Sequence, residues 1–227
     1  MERCYERNIG AITEAEQEIL QNARVCIVGC GGLGGFLVEY LGRLGVGHIT
    51  AVDGDCFDRS NLNRQVLSEE GSIGHSKALR ARERLGRVNP AVEVTAVEQF
   101  LTAGNAAGIL MGHHLVLDAL DSIPHRLMLQ RVCRELQIPL IHGAVEGWFG
   151  QVTTVFPGDD TLCRLYPGAT EETLPEKGAS TLSFAPAFIA SVQAAEAVKV
   201  LLRREPTLRG KVLFADLLQN HFDTMPI

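Results

Sequence analysis

Val25-Cys-Ile-Val-Gly-Cys-Gly-Gly-Leu-Gly-Gly35 decides how this chain folds. Val25 to Val28 is a short apolar, β-branched run of the kind that forms a buried strand. Gly29, Gly31 and Gly34 then set the spacing G-x-G-x-x-G, with Gly32 between them. Leu33, Phe36, Leu37, Tyr40, Leu41 and Leu44 follow at helical period. Strand, glycine turn and helix in direct succession form the setting of a nucleotide phosphate site. The amides of the helix N-terminus face outward there, and glycines let a phosphate approach the backbone. Asp53 ends the next apolar run, His48 to Asp53, 19 residues after Gly34, where a carboxylate meets a ribose hydroxyl. The fingerprint alone does not separate NAD, FAD and ATP sites. Asp53 could also be a turn cap.

Around this unit the chain alternates strands and helices. Thr13 and Glu16 form a capping-box pattern opening a helix to about Asn22. Beyond Asp53, residues 54 to 76 are a long polar connection, and long ordered connections are usually functional. The spacing predicts a helix over 75–88, a strand over 92–97 and a weak helix over 103–111. Leu115 to Asp121 reads as a strand, 126–136 as a helix and 138–142 as another buried strand. Such β-α-β alternation implies a parallel sheet with right-handed crossovers. After Gly143 the pattern becomes a hairpin to Phe156, and residues 157–180, rich in Pro, Gly and charge, read as a mobile crossover loop. A strong helix over 185–203 and a strand over 211–214 complete the chain. The fold expected is α/β: a Rossmann-like, mostly parallel sheet with helices on both faces, extended by C-terminal antiparallel strands, in one unit spanning 1–227.

Bulk composition narrows the class. Of 227 residues, 46% are hydrophobic and 21% charged, which suits one soluble α/β domain. The formal net charge of −6 gives no general nucleic-acid footprint. No apolar run approaches the roughly 20 residues of a membrane span, and Met1 to Arg7 lacks a signal-peptide core. The six cysteines are scattered with no C-x-x-C pair, pointing to a reducing cytoplasm. The seven histidines show no ligand spacing.

Asp53-Gly-Asp55-Cys-Phe-Asp-Arg-Ser-Asn61-Leu-Asn-Arg64-Gln65, then Gly74-His-Ser-Lys77, then Asp118-Ala-Leu-Asp121, carry the specific signal. Together they resemble the E1-like adenylating enzymes of the ThiF, MoeB and HesA group. The hairpin Gly143 to Phe156, the stretch Gln193 to Lys199 and the opening Tyr5-Glu-Arg7-Asn8 are similar to that group as well, so the resemblance runs from Tyr5 to about Thr224. It implies a homodimer that adenylates the C-terminal glycine carboxylate of a small ubiquitin-like sulfur carrier ending in Gly-Gly, using ATP and Mg²⁺. In that comparison Arg64 and Lys77 match the phosphate cations, Asp121 the Mg²⁺ ligand and Asp53 the ribose contact. Arg7 matches an arginine reaching into the partner subunit's site. Asp55 and Gln65 fall within the same nucleotide-binding stretch, and Asn61 either donates to phosphate or supports the loop.

Plainer roles exist for each residue. Arg64 and Lys77 could be solvated charges. Asp121 could cap the following helix, and Asp118 reads as structural. Trp148 could be core or could face a protein partner. The chain also departs from the family. Where many relatives carry two C-x-x-C pairs holding zinc, only Cys163 is present before Ile227, so no structural zinc is expected. Leu174 to Leu182 holds no cysteine, so sulfur is expected from a separate sulfurtransferase, with Cys163 as the nearest thiol. Two competing readings are activation of a carboxylate on a modified tRNA adenosine, as in the threonylcarbamoyladenosine dehydratases, and an NAD(P) oxidoreductase.

Overall fold

The computed structural model describes residues 3–173 and 180–227. Its centre is one eight-stranded sheet in the order β3-β2-β1-β4-β5-β6-β7-β8. Strands β1 (Arg24–Val28), β2 (His48–Val52), β3 (Glu93–Val97), β4 (Leu115–Asp118) and β5 (Leu140–Glu146) run parallel. Strands β6 (Phe149–Val155), β7 (Lys211–Asp216) and β8 (His221–Pro226) add antiparallel to that edge. The strand order reverses around β1, so the C-terminal ends of β1, β2 and β4 border a crevice where open α/β sheets bind ligands.

The central strands pack on both faces, successive side chains pointing oppositely into two cores. On β1, Val25 and Ile27 join the core under α2 (Gly32–Leu44), α3 (Lys77–Val88) and α7 (Phe184–Leu201). Cys26 and Val28 join a second core with α4 (Ala106–Leu110), α5 (Ile123–Glu135) and α6 (Thr161–Leu165). Helix α1 (Glu14–Gln21) opens on the capping box expected from sequence, with Thr13 N–H donating to Glu16 at 2.7 Å. Helix α7 is the one described helix whose length and apolarity would allow a membrane crossing. Its apolar residues are spent elsewhere: Ile189, Ala190, Ala194 and Ala197 pack into the sheet core.

Three features depart from the sequence reading. Strand β5 does not break at Gly143; it continues to Glu146 and pairs with β6 along its whole length. Gly143 is required by its neighbour, because a Cβ there would sit 2.3 Å from the Gln193 side chain. Strand β8 was not anticipated: all six of its residues are exposed, so no buried face marks it in the sequence. Residues 157–173 carry α6 and are tied down by Arg131–Glu171 (2.7 Å), Arg134–Asp160 (3.0 Å) and Arg209–Asp159 (2.8 Å). The rest of the expected loop, 174–179, lies outside the described residues.

Candidate active site

The cleft at the strand reversal has a volume of about 430 Å³. Its floor is the glycine turn. Gly29 has φ +95°, and a Cβ on it would sit 2.6 Å from the Ala119 carbonyl. Gly34 is tighter still: its Cβ would lie 1.7 Å from the Gly29 carbonyl oxygen. Gly34 therefore seats α2 against the strand end and does not itself line the cleft. Gly31 and Gly32 do line it, and their Cβ positions meet nothing nearer than 3.4 Å. Protein packing does not force glycine at those two positions; an approaching ligand would. Gly31 caps α2 without any side-chain bond, leaving the first amides of a 13-residue helix for an anion.

Asp53 closes one side of the cleft. Its carboxylate accepts from the Cys30 N–H at 2.7 Å and the Asp55 N–H at 2.8 Å. Burial pushes its pKa up from the ordinary carboxylate value, against the pull of those amides and of Lys77. The Cys30 thiol in the same turn is fully buried and pushed well above its usual range, first by burial and then by Asp53. It is no nucleophile.

Cations face the glycine floor. Lys77 is 7% exposed, lines the cleft and pairs with Asp55 at 3.1 Å. It is the first residue of α3, where Ser76 caps by accepting from Leu79 N–H at 3.3 Å. Arg64 also lines the cleft, its Nη1 donating to the Ser60 carbonyl (2.8 Å) and Asn63 Oδ1 (2.9 Å). Gln65 is 7% exposed beside Gly31, and its Oε1 is buried with no partner. Asp121 stands exposed past the end of β4, lines the cleft and has no hydrogen-bond or ion-pair partner among the described residues.

Two residues sit elsewhere. Asn61 is buried outside the cleft wall, its Oδ1 accepting from Asp58 N–H at 3.0 Å, so its amide supports the connection after β2. Arg7 lies exposed in the turn of 3-10 helix Arg3–Asn8 and does not line its own chain's cleft. The neighbouring Tyr5 packs at Gly45, the C-terminal end of α2, whereas the cleft is at that helix's N-terminus. Trp148 forms the β5–β6 turn, 38% exposed, its ring 4.9 Å from Phe184. Cys163 is exposed, its Sγ accepting from Gln130 at 3.6 Å.

Sequence reading missed part of the wall: Gln99, Phe100, Thr102, His125, Arg126 and Pro186 line the same cleft. A partial signal existed. Gly54 follows Asp53 because the Phe100 ring would lie 2.6 Å from any Cβ there.

These features meet the comparisons with known proteins. The ThiF family model matches residues 5–227. This chain belongs to the ThiF family. It is 38% identical to the SAMP-activating enzyme E1 of Haloferax volcanii, over 91% of this chain and 77% of that protein. It is 37% identical to a sulfur carrier protein adenylyltransferase of Thermus thermophilus, over 93% of this chain and 81% of that protein. A crystal structure of E. coli MccB with AMPCPP and MccA superposes with a TM-score of 0.85 at 21% identity. It covers 99% of this chain and 71% of that one. The ThiF-family chain thus has the E1-like adenylyltransferase fold that the motifs after Asp53 implied.

Proposed function

We propose that this ThiF-family chain works as one adenylation unit. It uses ATP and Mg²⁺ to activate the C-terminal carboxylate of a small ubiquitin-like sulfur carrier ending in Gly-Gly. The observation that carries the proposal is the convergence in one cleft of Gly31, Gly32, Asp53, Arg64, Lys77 and Asp121. The N–H groups of the first turn of α2, from Gly32 on, cradle the triphosphate, Asp53 accepts from the ribose hydroxyls, and Arg64 and Lys77 offset the phosphate charge. The carrier's carboxylate is already ionised at neutral pH, so the step needs no general base. One carboxylate oxygen bonds the α-phosphorus while the bond to the bridging oxygen breaks. Pyrophosphate leaves and an acyl-adenylate remains. The protein's contribution is orientation and charge neutralisation.

Mg²⁺ would rest on Asp121 and phosphate oxygens and would neutralise charge on the departing pyrophosphate. The fit is in the donor set: one free carboxylate faces the cleft, and no cluster of three potential ligands is present among the described residues. Such a site takes the rest of its oxygens from the nucleotide. No structural zinc enters this reading, because residues 157–227 hold Cys163 as their single thiol and one thiolate cannot make a Cys₄ site. Sulfur would be delivered to the acyl-adenylate by a separate sulfurtransferase in the reducing cytoplasm, without nucleic acid or membrane. Arg7, which does not line its own chain's cleft, would serve the partner's cleft in a homodimer.

The test is ATP–pyrophosphate exchange with purified protein, Mg²⁺ and a panel of Gly-Gly-ending carriers. Exchange that requires a carrier supports the proposal. Absence of exchange together with tight NAD(H) binding would return the cleft to the oxidoreductase reading, which leaves Arg64, Lys77 and Asp121 without a task. Steeply salt-dependent tRNA binding would favour the dehydratase reading.

A further inference from the structure

The loop that presents Asp121, between β4 and α5, is not fixed by its helix cap. Ser122 is the N-cap of α5, yet its side chain makes no capping bond and its Oγ is buried without a partner. Other groups hold the loop. Leu120 N–H donates to Asp118 Oδ1 at 2.9 Å. The Leu120 carbonyl accepts twice from one guanidinium, from Arg126 Nη2 at 2.7 Å and Nε at 3.0 Å. Arg126 is 8% exposed, and its remaining Nη1 donates to the Tyr166 hydroxyl at 3.0 Å.

Tyr166 closes a ring of bonds whose directions can be assigned. Its oxygen accepts from Arg126 Nη1 and from Gln151 Nε2 at 2.7 Å. Both lone pairs are then used, so the hydroxyl proton points to His142 Nε2, 3.0 Å away. That nitrogen must be an acceptor, so His142 carries its proton on Nδ1 and donates to Asp118 Oδ2 at 2.6 Å. Asp118 and His142 are both fully buried. The circuit is Asp118, His142, Tyr166, Arg126, Leu120 and back to Asp118. Four of its members belong to the sheet or to the loop and helix beside the cleft. Tyr166 alone comes from the crossover segment, just past α6.

We propose that Tyr166 is a positioning residue: its hydroxyl, delivered by the crossover segment, locks the loop that presents Asp121 to the nucleotide. Tyr166 does not line the cleft and touches no reacting group. It acts through Arg126, which needs an acceptor for Nη1 if its other two donors are to stay on the Leu120 carbonyl. Removing the hydroxyl leaves Arg126 Nη1 short of its acceptor and leaves Gln151 Nε2 and His142 Nε2 with only each other, 3.5 Å apart, so the loop loses its outer anchor. Coupling of this kind is reciprocal. Whatever orders the Asp121 loop also orders the crossover segment around Tyr166. The role of the loop in catalysis rests on the adenylation reading; the lock itself does not.

The experiment is hydrogen exchange with and without ATP and Mg²⁺, on the unmodified chain and on Tyr166→Phe. In the ligand-free variant, exchange in a peptide covering residues 117–125 should rise about tenfold while the β1 and β2 amides stay protected. In exchange kinetics with a responsive carrier, kcat should fall about tenfold and the KM for ATP less than twofold, since Asp53 and the glycine floor are untouched. Unchanged exchange at 117–125 in a folded variant, or an equal rise throughout the sheet, overturns the lock. Should Tyr166→Phe not fold, Arg126→Lys reads the same loop, because an ammonium cannot grip one carbonyl twice and reach the hydroxyl as well. The unmodified chain gives a result independent of any variant. ATP with Mg²⁺ should slow exchange over residues 162–170; protection at the cleft without protection there overturns the coupling. If carriers elicit no turnover but the ligand-free 117–125 signature appears, the adenylation reading fails and the lock stands.

Discussion

Two glycine substitutions, two residues apart in sequence, separate packing from ligand binding in the floor of the cleft. At Gly34 an added Cβ would lie 1.7 Å from the Gly29 carbonyl oxygen and 2.7 Å from its carbon. No side chain can yield there, because the obstacle is backbone. Gly34→Ala must push α2 away from the end of β1. Overpacking of that kind costs on the order of 1–3 kcal/mol or more, and a displacement of about 1 Å in a positioned site costs roughly a hundredfold in rate. Gly32→Ala differs. Its Cβ would meet only Pro186, at 3.5 Å, which is ordinary contact, and alanine restricts the unfolded chain more than glycine, worth about 0.4–1 kcal/mol where the backbone fits. The new methyl narrows the cradle between Gly32 and Pro186, both on the cleft wall. Loss of one charge-assisted amide–phosphate bond, about 1.5–3 kcal/mol, predicts ATP affinity lower by roughly ten- to hundredfold with the melting temperature unchanged or slightly raised. Urea titration and calorimetric ATP binding on the two variants check this. Gly32→Ala binding ATP as tightly as the parent would show that this turn is not the phosphate cradle. Gly34→Ala with full stability would show that the strand–helix contact is wrong.

Three other outcomes are expected. Asp121→Ala, which removes a carboxylate with no partner among the described residues, should leave urea stability within about 0.5 kcal/mol and abolish carrier-dependent pyrophosphate exchange; a folded, active variant removes Asp121 from the site. Mixing inactive Arg7→Ala with inactive Asp121→Ala chains should restore activity, because one site of a mixed dimer carries both lesions and the other neither; no recovery despite subunit exchange ends the shared-site model. Stability should fall as pH drops below about 6.5, the ordinary histidine value. Burial holds the folded pKa of His142 and His113 below that value, so in this window only the unfolded chain gains those protons. Urea midpoints at pH 7.5 and 5.5 should converge for His142→Gln relative to the parent; identical slopes contradict the assignment of His142 as a neutral donor to Asp118.

The parallel half of the fold was legible because its signals are local and periodic. The run before Gly29, the helical spacing after Gly34 and the carboxylate at Asp53 each depend on a few adjacent residues, and the structure keeps them at β1, α2 and the end of β2. The antiparallel extension was less legible. Strand β8 buries none of its six residues, so it shows no two-sided alternation of apolar and polar positions. The continuous β5 was hidden because the buried run reads as ending at His142 with a hairpin from Gly143, whereas the glycine answers to Gln193, 50 positions away. The site divides in the same way. Asp53, Arg64, Lys77 and Asp121 lie in recognisable local patterns. Phe100, His125 and Arg126 reach the cleft only through tertiary packing. The buried circuit through Tyr166 joins residues 118 to 166, and nothing local marks it.

Lys77 shows why the cleft reads as a binding site and not as an ion-paired surface. The chain has many paired cations, and most sit where helix electrostatics favours or ignores them: Arg43 lies in the last turn of α2, paired with Glu39 at 2.8 Å. Lys77 is placed the other way. It occupies the first position of α3, at the positive end of that helix dipole, where a cation costs about 0.3–1 kcal/mol. It is also nearly buried, which adds a desolvation cost. Its one partner, Asp55, is exposed over more than half of its side chain, so that pair is partly screened by water. A residue chosen for stability would be moved one turn or exchanged for a neutral one. The positive helix end, the buried ammonium and the open amides of α2 all raise the local potential in the same cleft. Folding alone gains from that accumulation only the screened pair with Asp55 and the pull on Asp53. A polyanion seated between α2 and α3 removes all three costs together, and a nucleotide triphosphate carries that charge.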